Sequence, residues 1–226
     1  MTARVIRALL RPMWRTLPWS VLVAGAGLGL LLTGIPRMLS SAPDARLCLG
    51  LLRAAALALG LGLAFLLDDP ARHTTAAVPT RRPVRVGLRV ALVVPFAVLW
   101  WTAVLFLVPE EARPPVGAIT LEAAATAVLA LAAAAVAVRC TDVAEPGAAV
   151  SAGLLGTVFA SALLLPGRWA LFVTADDPRW DGAHERWAGL LVTAALVGAY
   201  ALTEPTRRRR PGWATTPSGT SGPSRG

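Results

Sequence analysis

Six apolar blocks, separated by short stretches rich in charge and proline, govern what this chain can fold into. They run over Leu17–Ile35, Leu47–Leu67, Gly87–Val108, Val116–Val138, Ala148–Leu165 and Trp187–Leu202. A helix crossing the hydrocarbon layer of a bilayer needs about 20 apolar residues. Four of the blocks reach or approach that length, and the fifth and sixth, of 18 and 16 residues, are short by this measure. Charged residues make up only 15% of the 226 residues, against about 25% in an ordinary soluble domain. The apolar excess is gathered into the blocks and not spread as amphipathic stripes. The expectation is an all-α membrane protein with six transmembrane helices over residues 17–205. The first block reads as a span and not as a cleavable signal, because no small-residue cleavage site follows it and further spans do.

The basic residues give an orientation. All 22 are arginine. Fifteen fall before the first block, around the loop between the second and third blocks (Arg89 being just inside the third), after the fourth and after the sixth; seven fall on the other side. Arginine-rich loops stay in the cytoplasm, so both termini are expected there, in a multi-pass protein of the cell membrane. The net charge of +9 then reads as topology and as contact with anionic lipid. The run Arg207–Arg210 reads as a snorkelling anchor and not as a nucleic-acid site. Trp14, Trp19 and Trp213 would lie near the inner face, and Trp169, Trp180 and Trp187 near the outer face, as an interfacial belt.

Residues 1–16 place Arg4, Arg7, Arg11 and Arg15 three or four apart, on one helical face. This predicts an in-plane amphipathic helix at the inner interface. Residues 206–226 are basic and then rich in Ser, Thr, Pro and Gly, the composition of a disordered tail. Gly25 and Gly29 of the first block, the alanines of the fourth, and Ser151, Gly153, Gly156 and Ser161 of the fifth suit close helix packing. That packing can be within the chain or between copies.

Little in the sequence suggests catalysis. Without lysine the chain can form neither a Walker A loop nor a lysine Schiff base. His73 and His184 are expected on opposite sides of the membrane. Cys48 and Cys140 fall at opposite ends of different spans and are not expected to pair. Asp176, Asp177, Asp181, His184 and Glu185 sit in an outer connection over residues 166–186. They read as a solvated, capped loop with Asp177 as N-cap before Pro178, not as a metal site. No cofactor is implied. Arg53 and Glu122 each lie about 9 Å below the outer edge of their spans at 1.5 Å per residue. They are expected either to pair or to snorkel outward. No Asp, Glu or His chain crosses the bilayer, which counts against a proton pump.

The inner loop over residues 68–86, "DDPARHTTAAVPTRRPVRV", carries a helix start at Asp69–Pro70 and a stop at Pro79. A capped cytoplasmic helix of about nine residues fits between them. With the in-plane N-terminal helix, the six spans and the long outer connection, this layout resembles the membrane subunits of ATP-binding-cassette exporters of the type-2 permease class, in the small actinobacterial form that works with a separate ATPase. The resemblance implies a permease acting as a homodimer or heterodimer, not itself an enzyme. It also implies a coupling helix seated on the ATPase that includes Asp68, Asp69, Arg72, His73, Thr75, Arg81 and Arg82. The competing expectation is a membrane anchor or sensor that binds another cytoplasmic partner.

The topology has a direct check. Single cysteines at Ser41, Glu111 and Asp181 should react with an impermeant thiol reagent from outside, and those at Thr75 and Thr216 from inside. Labelling of Thr75 from outside alone would invert the orientation.

Overall fold

Alanine, leucine and valine dominate every block, and in apolar surroundings only a segment that satisfies its own backbone hydrogen bonds is stable. The computed structural model describes residues 14–39, 44–68, 82–141 and 145–203, and among these six long helices and no strand occur. They are α1 (Trp19–Leu39), α2 (Ala45–Ala64), α3 (Arg82–Leu107), α4 (Val116–Cys140), α5 (Gly147–Leu164) and α6 (Trp180–Leu202). Four stretches are long and apolar enough to cross a membrane: Ala45–Leu67, Val86–Leu107, Val116–Cys140 and Gly147–Leu164. Helix α1 contributes a shorter apolar stretch, Trp19–Ile35. Of the expected in-plane helix, residues 1–13 lie outside the described residues, as does the tail from residue 204. Trp14 and Arg15 are helical, and the Trp14 ring packs at a tilt against Trp19 with centroids 4.4 Å apart.

Two helices begin a turn or more earlier than their apolar blocks. Helix α3 starts at Arg82, so 82–86 of the expected inner loop is helical, with Pro83 in the first turn where its missing N–H is tolerated. Helix α6 starts at Trp180, which takes 180–186 out of the expected outer loop. Polar residues form a helix as readily as apolar ones, so the end of the hydropathy block was not the end of the helix. Asp177 is also not the N-cap. Its Oδ1 accepts the Arg179 N–H at 2.8 Å, which closes a turn just before the helix.

Helix α2 is the centre of the bundle, packed against α1, α3, α4 and α5. Its Asp44 caps the first turn by accepting the Arg46 N–H at 3.0 Å. Small residues set the packing distances. A Cβ on Gly25 would lie 2.5 Å from the Ala58 carbonyl oxygen, and one on Gly29 would meet Trp100 and the Ala55 backbone. Gly62 in turn faces the Val21 and Leu22 backbone. These pairs make α1 and α2 antiparallel, and they show Gly25 and Gly29 packing within the chain. Trp100 of α3 closes this junction, its indole Nε1 donating to the Ala26 carbonyl at 2.9 Å.

Helix α6 lies along α4 in the same direction, and this is the most extensive helix pair. Glu122 faces His184, Ala132 faces Gly198, and the Arg139 guanidinium donates to the Thr203 carbonyl at 2.7 Å. Helices α2, α4 and α6 therefore all begin at one end of the bundle. Helix α5 touches α2 and α4 along one edge, with Ser151 donating to the Leu61 carbonyl. Gly153 and Gly156 have open space beside them.

The close approach of α1 and α2 is testable at the residue that permits it. Gly25→Ala should destabilise by about 1–3 kcal/mol, because the added methyl meets backbone that cannot move aside. Gly34→Ala, with nothing within 4 Å, should be neutral or stabilising by up to about 1 kcal/mol through helix propensity. Thermal unfolding of the two variants in one detergent compares them, and equal shifts would refute the packing argument.

Candidate functional site

Two polar groups of residues interrupt the apolar bundle, one at each end. The first lies where α2, α4 and α6 begin. Arg53 lies in the first half of α2 and Glu122 in the second turn of α4, and they meet as a two-pronged pair. Nε of Arg53 donates to Glu122 Oε2 at 2.6 Å and Nη2 to Oε1 at 2.8 Å. Glu122 is buried, with only 3% exposure, and Arg53 is partly buried, with 15%. A planar guanidinium matches both oxygens of a carboxylate at once, which no ammonium does. Of the two expectations for these residues, pairing is the one found; neither snorkels outward.

A third member was not anticipated. His184, one turn into α6, places Nε2 3.1 Å from Glu122 Oε1. Its Nδ1 lies 2.8 Å from the Trp180 carbonyl oxygen, and its ring packs at a tilt against Trp180 with centroids 4.3 Å apart. The signal that could have found it is periodicity. Ala183, Trp187, Ala194 and Ala201 are the buried positions of α6 and share one face. Extending that face upstream past Trp187 brings residues 183 and 184 onto the bundle.

The connection between α5 and α6 folds over this site. The Phe172 ring covers the Arg53 guanidinium at 5.6 Å and meets the Trp187 ring edge-on at 5.8 Å. Trp187 Nε1 donates to the Leu171 carbonyl at 3.1 Å, and Arg186 Nη1 to the Ala170 carbonyl at 2.8 Å. Arg46 of α2 reaches Asp176 at 2.9 Å. That pair is exposed, and exposed pairs contribute little. Asp177 is held to about 2 by the Arg179 guanidinium and the Arg179 N–H. Its contribution to the turn is present above the ordinary carboxylate value and is lost as pH falls towards 2.

The acidic cluster read from the sequence is thus dispersed. Asp176 goes to Arg46, Asp177 to Arg179 and His184 to Glu122, while Asp181 and Glu185 face outward. Among the described residues no three His, Cys, Asp or Glu come together as a metal site. Cys48 and Cys140 are both free thiols, at opposite ends of α2 and α4.

The second polar group lies at the opposite end, around Asp68. A short 3₁₀ turn, Phe65–Leu67, ends α2 and leaves Asp68 extended. Its Oδ1 accepts the Gly147 N–H at 2.9 Å, the first residue of α5. Asp68 thus caps α5 from 79 positions away. The absence of a side chain at 147 is required, since a Cβ there would lie 2.6 Å from Asp68 Oδ2 and from the Phe65 ring. Arg89 of α3 donates to the Asp68 and Leu66 carbonyls at 3.2 and 3.3 Å. Burial raises the Asp68 carboxyl above the ordinary value, against the lowering effect of the Gly147 N–H. The stability it contributes is therefore greatest at low pH and declines as pH rises through the raised value.

Of the expected coupling residues, Asp68 belongs to this joint. Asp69, Arg72, His73, Thr75 and Arg81 lie outside the described residues, and Arg82 opens α3. No protein-family model, curated protein or solved structure matches the chain.

The buried pair makes a ranked prediction. Removing one partner of such a pair costs about 3–5 kcal/mol, because the other is left buried and charged. Glu122→Leu should be the costlier single change, since it strands both Arg53 and His184. Arg53→Leu leaves the Glu122–His184 contact in place. The double variant should be more stable than Glu122→Leu alone. Chemical unfolding of the four proteins gives the coupling, and additive losses would mean that the pair contributes nothing jointly.

Proposed function

We propose that the chain is a six-span membrane permease subunit driven by a separate ATPase that docks on its 68–86 segment, most consistent with an exporter of the ATP-binding-cassette type. The observation that carries this reading is the Asp68 joint. The segment leaving α2 is fastened where it starts, to α5 through Gly147 and to α3 through Arg89. A push on residues 69–81 would reach three helices at once. A loop that merely returned the chain to the membrane would need no such anchorage.

Six crossings are supported by how α1 and α6 lie. Each runs alongside a helix long and apolar enough to span, α1 against α2 through Val21–Gly29 and α6 against α4 from Glu122–His184 to Arg139–Thr203. The arginine distribution supports placing the Asp68 end in the cytoplasm. The Arg53 site would then lie towards the outer face. Hydrolysis would belong to the partner, as the chain has no lysine for a phosphate-binding loop. Two permease copies, or one copy with a homologue, would complete the path.

Co-purification from membranes of the native host tests the coupling. Wild type should retain an ATPase subunit. Replacing Asp69, Arg72 and His73 by alanine should reduce its recovery by about tenfold or more, the equivalent of 1.4 kcal/mol. Asp68→Asn keeps the oxygen that accepts the Gly147 N–H and should leave folding intact, whereas Asp68→Ala should lose about 1 kcal/mol of stability through the missing cap. Absence of an ATPase from the wild-type preparation, or equal recovery by the triple variant, would instead favour an anchor or sensor.

A further inference from the structure

We infer that Glu122 and His184 together form a proton-binding site, in which one proton held between Glu122 Oε1 and His184 Nε2 fastens α6, and the connection before it, to α2 and α4. Donors and acceptors at the imidazole carry the inference. A neutral imidazole has one N–H donor and one bare nitrogen. Both nitrogens of His184 face oxygens: Nδ1 the Trp180 carbonyl at 2.8 Å, and Nε2 the Glu122 carboxylate at 3.1 Å. With the hydrogen on Nδ1, Nε2 is buried with no hydrogen-bond partner and points a lone pair at a carboxylate. With the hydrogen on Nε2, the lone pair meets the carbonyl instead. Turning the ring over puts carbon at both positions. One additional proton removes the conflict, and Glu122 then lies between two cations.

Among the described residues no other group donates to His184 Nε2. From α2 the only charge facing the site is Arg53, whose Nε and Nη2 already donate to Glu122. On α4 the Thr126 hydroxyl turns back to its own helix, donating to the Glu122 carbonyl at 2.8 Å. On α6, Arg186 is committed to the Gly182 and Ala170 carbonyls, and Asp181 and Glu185 are exposed. The connection contributes the Phe172 ring over Arg53. The nearest further pair, Arg46 with Asp176, is exposed.

Loss of the proton leaves a lone pair facing an oxygen, the Glu122 carboxylate or the Trp180 carbonyl according to the tautomer, in low dielectric, where the repulsion is least screened. The element that would yield is the start of α6 with residues 170–179, which is otherwise tied by the Phe172 ring contacts, the exposed Arg46–Asp176 pair and hydrogen bonds to the Ala170 and Leu171 carbonyls. The site lies at one end of the bundle with no ionisable relay beyond it. The proton is therefore a fastening and not cargo, and the inference does not rest on the transport reading.

The chain has two histidines, so His73→Gln leaves His184 as the sole imidazole. In that variant, full length and in lipid nanodiscs, nitrogen NMR of the ring at neutral pH should show both nitrogens protonated. The pH is then raised until the ring titrates. Hydrogen exchange over residues 170–186, corrected for its intrinsic pH dependence, should rise with the same midpoint, by up to about tenfold per pH unit for one proton. His184→Gln, whose amide donates to Glu122 without titrating, should show no such rise. A neutral ring at about pH 6, or a titration that leaves exchange over 170–186 unchanged, would overturn the proposal.

Discussion

The bidentate contact between Arg53 and Glu122 is the constraint around which the bundle is arranged. Withdrawing either ion from water costs several kcal/mol, recovered only when the partner's geometry is good and the remaining donors and acceptors are met. The guanidinium must therefore sit level with the carboxylate, which fixes the register of α2 against α4. Once that register is set, Gly60 comes beside Thr126, and the alanine-rich face of α4 lies against α2. A slip of one residue on either helix would move a charge by about 100° around its axis and leave it facing hydrocarbon or a backbone it cannot pair with. Apolar side chains alone do not specify register so sharply, because leucine against alanine packs tolerably at several offsets.

Close backbone approach then holds what the ion pair positions. Gly25, Gly29 and Gly62 let α1 and α2 meet where any side chain would strike carbonyl oxygen or an indole ring. Among apolar helices in lipid there is little hydrophobic drive to associate, so such van der Waals contact carries much of the stability. The small residues of α5 act differently. Gly153 and Gly156 face open space, and the helix is held by its N-terminal cap at Asp68 and by the Ser151 bond to Leu61.

How much of this was legible in the sequence depended on the kind of signal. The helices themselves were, because an apolar block of spanning length has few other solutions. The Arg53–Glu122 pair was legible as one of two options, because both residues sit at similar depth in spans of the same direction. The start of α6 was not, since hydropathy falls at Trp187 while the backbone continues helical from Trp180. With it went His184, which a loop reading places in solvent. Asp68 was legible as polar and exposed beyond a span, and the expectation gave it to a partner. Its engagement with Gly147 lies across 79 residues and required knowing that α5 begins beside the end of α2.

Helix α2 carries both polar joints, at Arg53 and just past its end at Asp68, about 22 Å apart at 1.5 Å per residue. They bind different neighbours. Arg53 reaches α4, and through Glu122 reaches α6, while Asp68 reaches α5 and α3. Helices α4 and α6 are in turn tied to each other at both ends, by Glu122 with His184 and by Arg139 with the Thr203 carbonyl. The molecule thus divides into an α1–α2 pair joined through glycine and an α4–α6 pair joined through charge. Between the two pairs, Arg53–Glu122 is the charged contact. A displacement of one pair against the other must break or pivot on that contact, since α2 runs as one helix from Arg53 to Ala64, with only the 3₁₀ turn Phe65–Leu67 between it and Asp68.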